Sequence, residues 1–160
     1  MHSSRVDEDS QQGNAAIAEL TQLALNTAAP EELDVFAETA QEYFEDPEAA
    51  LTAAKGDAAV GFGLELALLT PVALAIGSAV FQSVVGMLSD RAVTAGHRGA
   101  VALLRRVLRK EASPTQLNLS PEQANHLKMV ALQRAHALGL PEAQARLLAD
   151  SMVGALVTGP

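Results

Sequence analysis

The sequence predicts an all-α protein, and three observations support that fold class. Hydrophobic residues make up 49% of the 160-residue chain and charged residues 19%, enough apolar material for a sizeable core. Aromatic residues make up only 3%, whereas alanine, the best helix former, recurs in pairs along the chain. Apolar residues also recur at three- and four-residue spacing. We therefore expect one helical bundle with a long central apolar helix and a C-terminal helical hairpin.

The chain divides into segments by composition. Residues 1–14 are polar and acidic and are expected to form a disordered tail. Residues 15–111 are expected to form the helical core, which contains the apolar segment 58–89. Residues 112–119 contain Ser-Pro and read as a linker, and residues 120–158 are expected to form the hairpin.

Three short helices are expected before the apolar segment. The first runs from Ala15 to Asn26 and stops before Pro30. Residues 31–45 repeat apolar side chains at helical spacing among many acids, which predicts one acidic amphipathic helix. Asp46 followed by Pro47 is typical of an N-cap and a first helical position, so a third helix should begin there.

The hairpin carries the clearest local signals. Ser120, Pro121 and Gln123 have the spacing of a capping box with proline at the first helical position. Gly139 is placed to end that helix in a left-handed conformation. Pro141 then restarts a second helix.

The apolar segment 58–89 poses the main functional question. Glu65 is its only charged residue, and Thr70-Pro71 is expected to kink or restart the helix. The uncharged residues 66–89 would form a helix about 36 Å long, enough to cross a hydrocarbon layer of about 30 Å. Length therefore permits either a membrane helix or a core helix.

This segment has two different faces. The bulky face, expected to contact lipid or a protein core, consists of Leu69, Val72, Ile76, Val80, Val84 and Met87. The small or polar face, expected to mediate helix association, includes Ala75, Ser78, Ala79, Gln82 and Gly86. Small residues at four-residue spacing allow helices to approach closely, in lipid or in water.

A basic helix follows the apolar segment. The side chains expected to bind an anionic surface are Arg98, Arg105, Arg106, Arg109 and Lys110. The alternative is a solvated face, or one docked on the acidic helix 31–45. No aromatic side chains alternate with the basic ones, so the pattern does not indicate a nucleic-acid partner.

No motif for catalysis, a cofactor or a metal is found in the sequence. There is no cysteine, and the four histidines do not pair at ligand spacing. Gly61-Phe62-Gly63 lacks the third glycine of a dinucleotide fingerprint. We therefore expect a protein that is not an enzyme and holds no cofactor.

Two functional hypotheses remain open. The first is a membrane-associated adaptor, tether or small membrane effector that uses segment 58–89 and the basic helix 98–110. It would be cytoplasmic, at the inner face of the membrane, because the basic residues follow the apolar segment. The alternative is a soluble protein-binding module in which 58–89 is the buried core helix. Either would bind a protein partner or self-associate.

Overall fold

A computed structural model describes residues 2–56, 69–91, 96–109 and 119–158. Within these ranges the chain is almost wholly helical and contains no β-strand, so the all-α prediction is confirmed. The elements in chain order are α1 (His2–Ala28), a 3-10 helix (Pro30–Val35), α2 (Phe36–Glu45), α3 (Pro47–Gly56), α4 (Thr70–Arg91), α5 (Gly96–Arg109), α6 (Pro121–Ala137) and α7 (Glu142–Thr158). The predicted linker 112–119 lies outside the described residues, except for Leu119.

Helix α1 is longer than the sequence predicts. It begins at His2, which corrects the expectation of a disordered tail over residues 1–14. Its second half carries the buried side chains of Ile17, Leu20 and Ala24. The polar first half continues the same helix and contacts α4 through Gly13, a residue that gives no hydrophobic signal. A helix already packed along half its length extends at little further cost, because propagation is much easier than nucleation.

The acidic segment 31–45 is two elements and not the single helix that was predicted. A 3-10 helix comes first, and α2 begins only at Phe36. In α2 the apolar Phe36, Ala40 and Tyr43 are buried, as an amphipathic helix requires. The Asp46 carboxylate accepts a hydrogen bond from the Ala49 amide at 3.1 Å, so the predicted cap of α3 is present.

Helix α4 is the central element of the bundle. It packs against α1, α2, α3, α5 and α6, and Leu74, Ile76, Val80 and Val84 are fully buried in it. The helix begins at Thr70, and the Ala73 amide donates to the Leu69 carbonyl at 2.9 Å. Leu69 is therefore the N-cap of α4. The predicted kink at Thr70-Pro71 concerns segment 58–68, which lies outside the described residues.

Helices α6 and α7 are consecutive and pack against each other. The capping box of α6 is formed: Gln123 N–H donates to Ser120 Oγ at 3.1 Å, and Ser120 N–H donates to Gln123 Oε1 at 3.0 Å. At the other end Gly139 has φ 85°, and the Leu140 amide donates to the Ala135 carbonyl at 3.0 Å. This six-to-one bond is the Schellman arrangement, so the local signals specify both ends of α6.

Replacing Gly139 with alanine should lower the free energy of unfolding by about 1–2 kcal/mol, because a Cβ is disfavoured at positive φ. Asparagine tolerates this conformation better, so Gly139→Asn should lose less than Gly139→Ala. Urea unfolding followed by circular dichroism measures both. A loss for Gly139→Asn larger than that for Gly139→Ala would show that side-chain size, and not backbone conformation, sets the requirement at this turn.

Candidate functional site

The site lies where α1 and α4 cross as antiparallel neighbours. A Cβ added to Gly77 would lie 2.5 Å from Thr21 Oγ1, and one added to Gly13 would lie 3.5 Å from the Phe81 ring. Gly13 precedes Thr21 in α1, but its neighbour Phe81 follows Gly77 in α4, so the two helices run antiparallel. The missing side chains allow the two backbones to approach closely.

A groove of about 350 Å³ opens beside this crossing. Phe81 and Ile17 supply its apolar surface, and both are nearly inaccessible to solvent. The remaining lining is small or polar and consists of Asp9, Ser10, Gly13 and Asn14 from α1 with Ser78 and Gln82 from α4. Hydroxyl and amide groups therefore surround an aromatic floor, an arrangement that suits a partner with both apolar and hydrogen-bonding groups.

The face of α4 predicted to mediate helix association is the one beside the groove. Ala75 is buried, Ser78 and Ala79 are partly buried, and Gln82 and Gly86 are exposed. A Cβ added to Gly86 would meet nothing within 4 Å. The outer surface of α4 is thus small, polar and open at its C-terminal half.

The bulky face of α4 points the other way. Leu69, Val72, Ile76, Val80 and Val84 are buried, and Met87 is partly buried and packs against the same core. Their neighbours are other helices of the chain. The two faces predicted from the sequence therefore differ in burial: the bulky face lies inside the bundle, and the small face is exposed at Gln82 and Gly86.

In the part of the chain that the structure describes, one stretch is long and apolar enough to cross a membrane. It is Thr70–Leu88, with 19 residues, and 67% of its most apolar window is buried inside the protein. The core helix of a soluble protein meets the same criterion of length and composition. By length and composition, Thr70–Leu88 could therefore lie either in a membrane or in the core of a soluble protein.

The basic helix α5 packs mainly on α1 and α4. Arg105 forms an ion pair with Glu19 of α1, with 3.7 Å between Nη2 and Oε1 and 23% of each side chain exposed. Arg106 is exposed. Helix α5 thus docks mainly on α1 and α4, whereas one alternative from the sequence was docking on the acidic segment 31–45. The backbones of Arg98 and Arg109 belong to α5, while their side chains and all of Lys110 lie outside what the structure describes.

A second, smaller depression of about 260 Å³ lies between α1, the 3-10 helix and α5. Its apolar lining is Leu23, Leu33 and Leu108, and Glu19 stands at its edge. Glu19 pairs with Arg105, so this side of the depression is part of the contact between α5 and α1.

The titratable groups described here form no catalytic arrangement that we recognise. Burial raises the pKa of the Tyr43 hydroxyl, and the positive charge of Arg134 partly offsets that effect. Tyr43 packs edge-on against Phe44, with 5.4 Å between ring centroids. Among the residues placed by the structure, no three His, Asp or Glu side chains are grouped so that they could hold a metal ion.

Of the three α4 residues that line the groove, the face predicted from the sequence includes Ser78 and Gln82 but not Phe81. The α1 side, with Ser10, Gly13 and Asn14, lies in the stretch that was expected to be a disordered tail. The signal was weak but present: Gly13, Ile17, Leu20 and Ala24 follow one another at four-, three- and four-residue spacing on one face. Reading Gly13 as a contact position would have extended the first helix.

Comparison with models of protein families, with curated proteins and with solved structures finds no match to this chain. The class that the fold itself defines is an all-α helical bundle with an apolar central helix. The function is therefore argued from the groove and from the two faces of α4.

Proposed function

We propose that the chain is a soluble, non-enzymatic α-helical module that binds a helical segment of a protein partner in the groove between α1 and α4. The observation that carries this proposal is the orientation of α4. Its bulky face packs inside the bundle, and its small, polar face opens beside the groove.

The energetics of burial favour water over lipid around this folded form. Burying apolar surface stabilises by about 25 cal/mol per Å², and the bulky side chains of α4 already obtain this gain inside the bundle. The exposed Gln82 and the partly buried Ser78 would lose hydrogen bonds to water in a hydrocarbon layer. An aqueous environment therefore suits this surface.

The spacing of residues along α4 favours a helix as the bound segment. Ser78, Gln82 and Gly86 recur every four residues along α4, and the small Ser78 and Gly86 leave room for a helix to approach on either side of the longer Gln82. The part of Phe81 that remains exposed, 6% of the residue, is the aromatic contact that the groove offers to a partner. The flanking hydroxyl and amide groups can satisfy polar groups at its edges.

Site-specific photo-crosslinking in the native host tests this function. Benzoylphenylalanine in place of Gln82 should give one discrete protein adduct, and mass spectrometry should map it to a helical segment of one partner. The matched control places the same photo-reactive residue at Gln133, which is exposed on α6 away from the groove.

Adding Gly86→Phe to the Gln82 photo-probe should abolish the adduct, because the ring would fill open space beside the groove without disturbing the core. Equal adducts from the Gln82 and Gln133 positions, or an adduct that survives Gly86→Phe, would contradict a specific docking groove.

A second candidate function is membrane association. The observation that favours it is Thr70–Leu88, which could span a bilayer after leaving the bundle. The basic side chains of α5 would then lie near anionic headgroups at the inner face of the membrane. Opening the bundle would expose the core that α4 now fills, so this function requires a large conformational change.

Flotation with liposomes distinguishes the two functions. For the docking module we expect the protein to stay in the dense aqueous fraction with neutral and with anionic vesicles, as a detergent-free sample. Flotation that increases with anionic lipid would favour the membrane function, because each Lys or Arg near such a surface contributes about 1 kcal/mol.

A further inference from the structure

We draw no further inference here: the strongest candidate, the groove between α1 and α4, belongs to the site already described, and nothing in the part of the chain that the structure describes shows the chemistry of what covers it.

Discussion

Gly77→Ala is expected to lower the free energy of unfolding by about 2–3 kcal/mol, which is a large effect for one added methyl group. The new Cβ would lie 2.5 Å from Thr21 Oγ1 at the crossing of α1 and α4, so the helices would have to move apart. Thr21 is fully buried and β-branched, so its side chain has little freedom to rotate away. Urea unfolding of the purified protein measures the loss.

Gly86→Ala is the matched control for this change. It is the same substitution in the same helix, but nothing lies within 4 Å of the new methyl group. Alanine is the better helix former by about 0.5–1 kcal/mol, so this variant should be more stable than the parent protein. Gly77→Ala should therefore lower the free energy of unfolding, and Gly86→Ala should raise it.

The Thr21→Ala/Gly77→Ala double variant should recover most of the stability that Gly77→Ala loses. With Thr21 shortened, the new methyl group would meet Met152 at 3.6 Å and Ile17 at 3.8 Å, which are ordinary contacts. The Thr21 hydroxyl has no hydrogen-bond partner among the described residues, so its removal breaks no such bond. Additive losses in the double variant would contradict a direct contact at this crossing.

Glu32→Ala is expected to lower the free energy of unfolding by about 3 kcal/mol. The Glu32 carboxylate lies in the 3-10 helix and accepts three hydrogen bonds at the start of α4. The donors are Leu69 N–H at 2.9 Å, Thr70 N–H at 2.8 Å and the Thr70 hydroxyl at 2.7 Å. Leu69 and Thr70 are buried, so alanine would leave donors without partners at a helix N-terminus.

Glu31→Ala controls for loss of a neighbouring acid, because Glu31 is exposed and should contribute less than about 0.5 kcal/mol. Hydrogen exchange at the Leu69 and Thr70 amides provides the local measurement. Faster exchange at these two amides in Glu32→Ala, with little change in α6, is the expected pattern. Unchanged protection at both amides would show that Glu32 does not hold the start of α4.

Local sequence signals predict the ends of α6 and the start of α3 because the capping groups are neighbours in sequence. Ser120 and Gln123 bond each other, Gly139 takes positive φ, and Asp46 binds the Ala49 amide. None of these bonds depends on how the helices pack. Such features can be read from a few adjacent residues.

The cap of α4 could not be predicted in the same way. Its acceptor, Glu32, lies 38 residues before Thr70 in the chain, and only tertiary packing brings the two together. For the same reason, the sequence of residues 31–45 predicts one helix where the structure has a 3-10 helix followed by α2. The periodicity of apolar residues predicts which side chains face a core. It does not predict that the Glu32 carboxylate caps another helix, α4.

The sequence predicts the two faces of α4, but it does not predict what covers each face. Spacing placed Val72, Ile76 and Val80 on one side and Gln82 and Gly86 on the other. A pattern of bulky residues is satisfied equally by lipid and by neighbouring helices. The groove depended on α1 as well, and its Gly13 contact carries no hydrophobic signal.

Hydrogen exchange along α4 tests most directly whether this helix is the core of a soluble bundle. In detergent-free solution the amides of Ala73 to Val84 should be among the most slowly exchanging in the chain, since they are bonded within α4 and helices of the same chain bury them. Their protection should not change when anionic vesicles are added. Fast exchange of these amides in water, with protection appearing only in the presence of vesicles, would contradict the buried core helix.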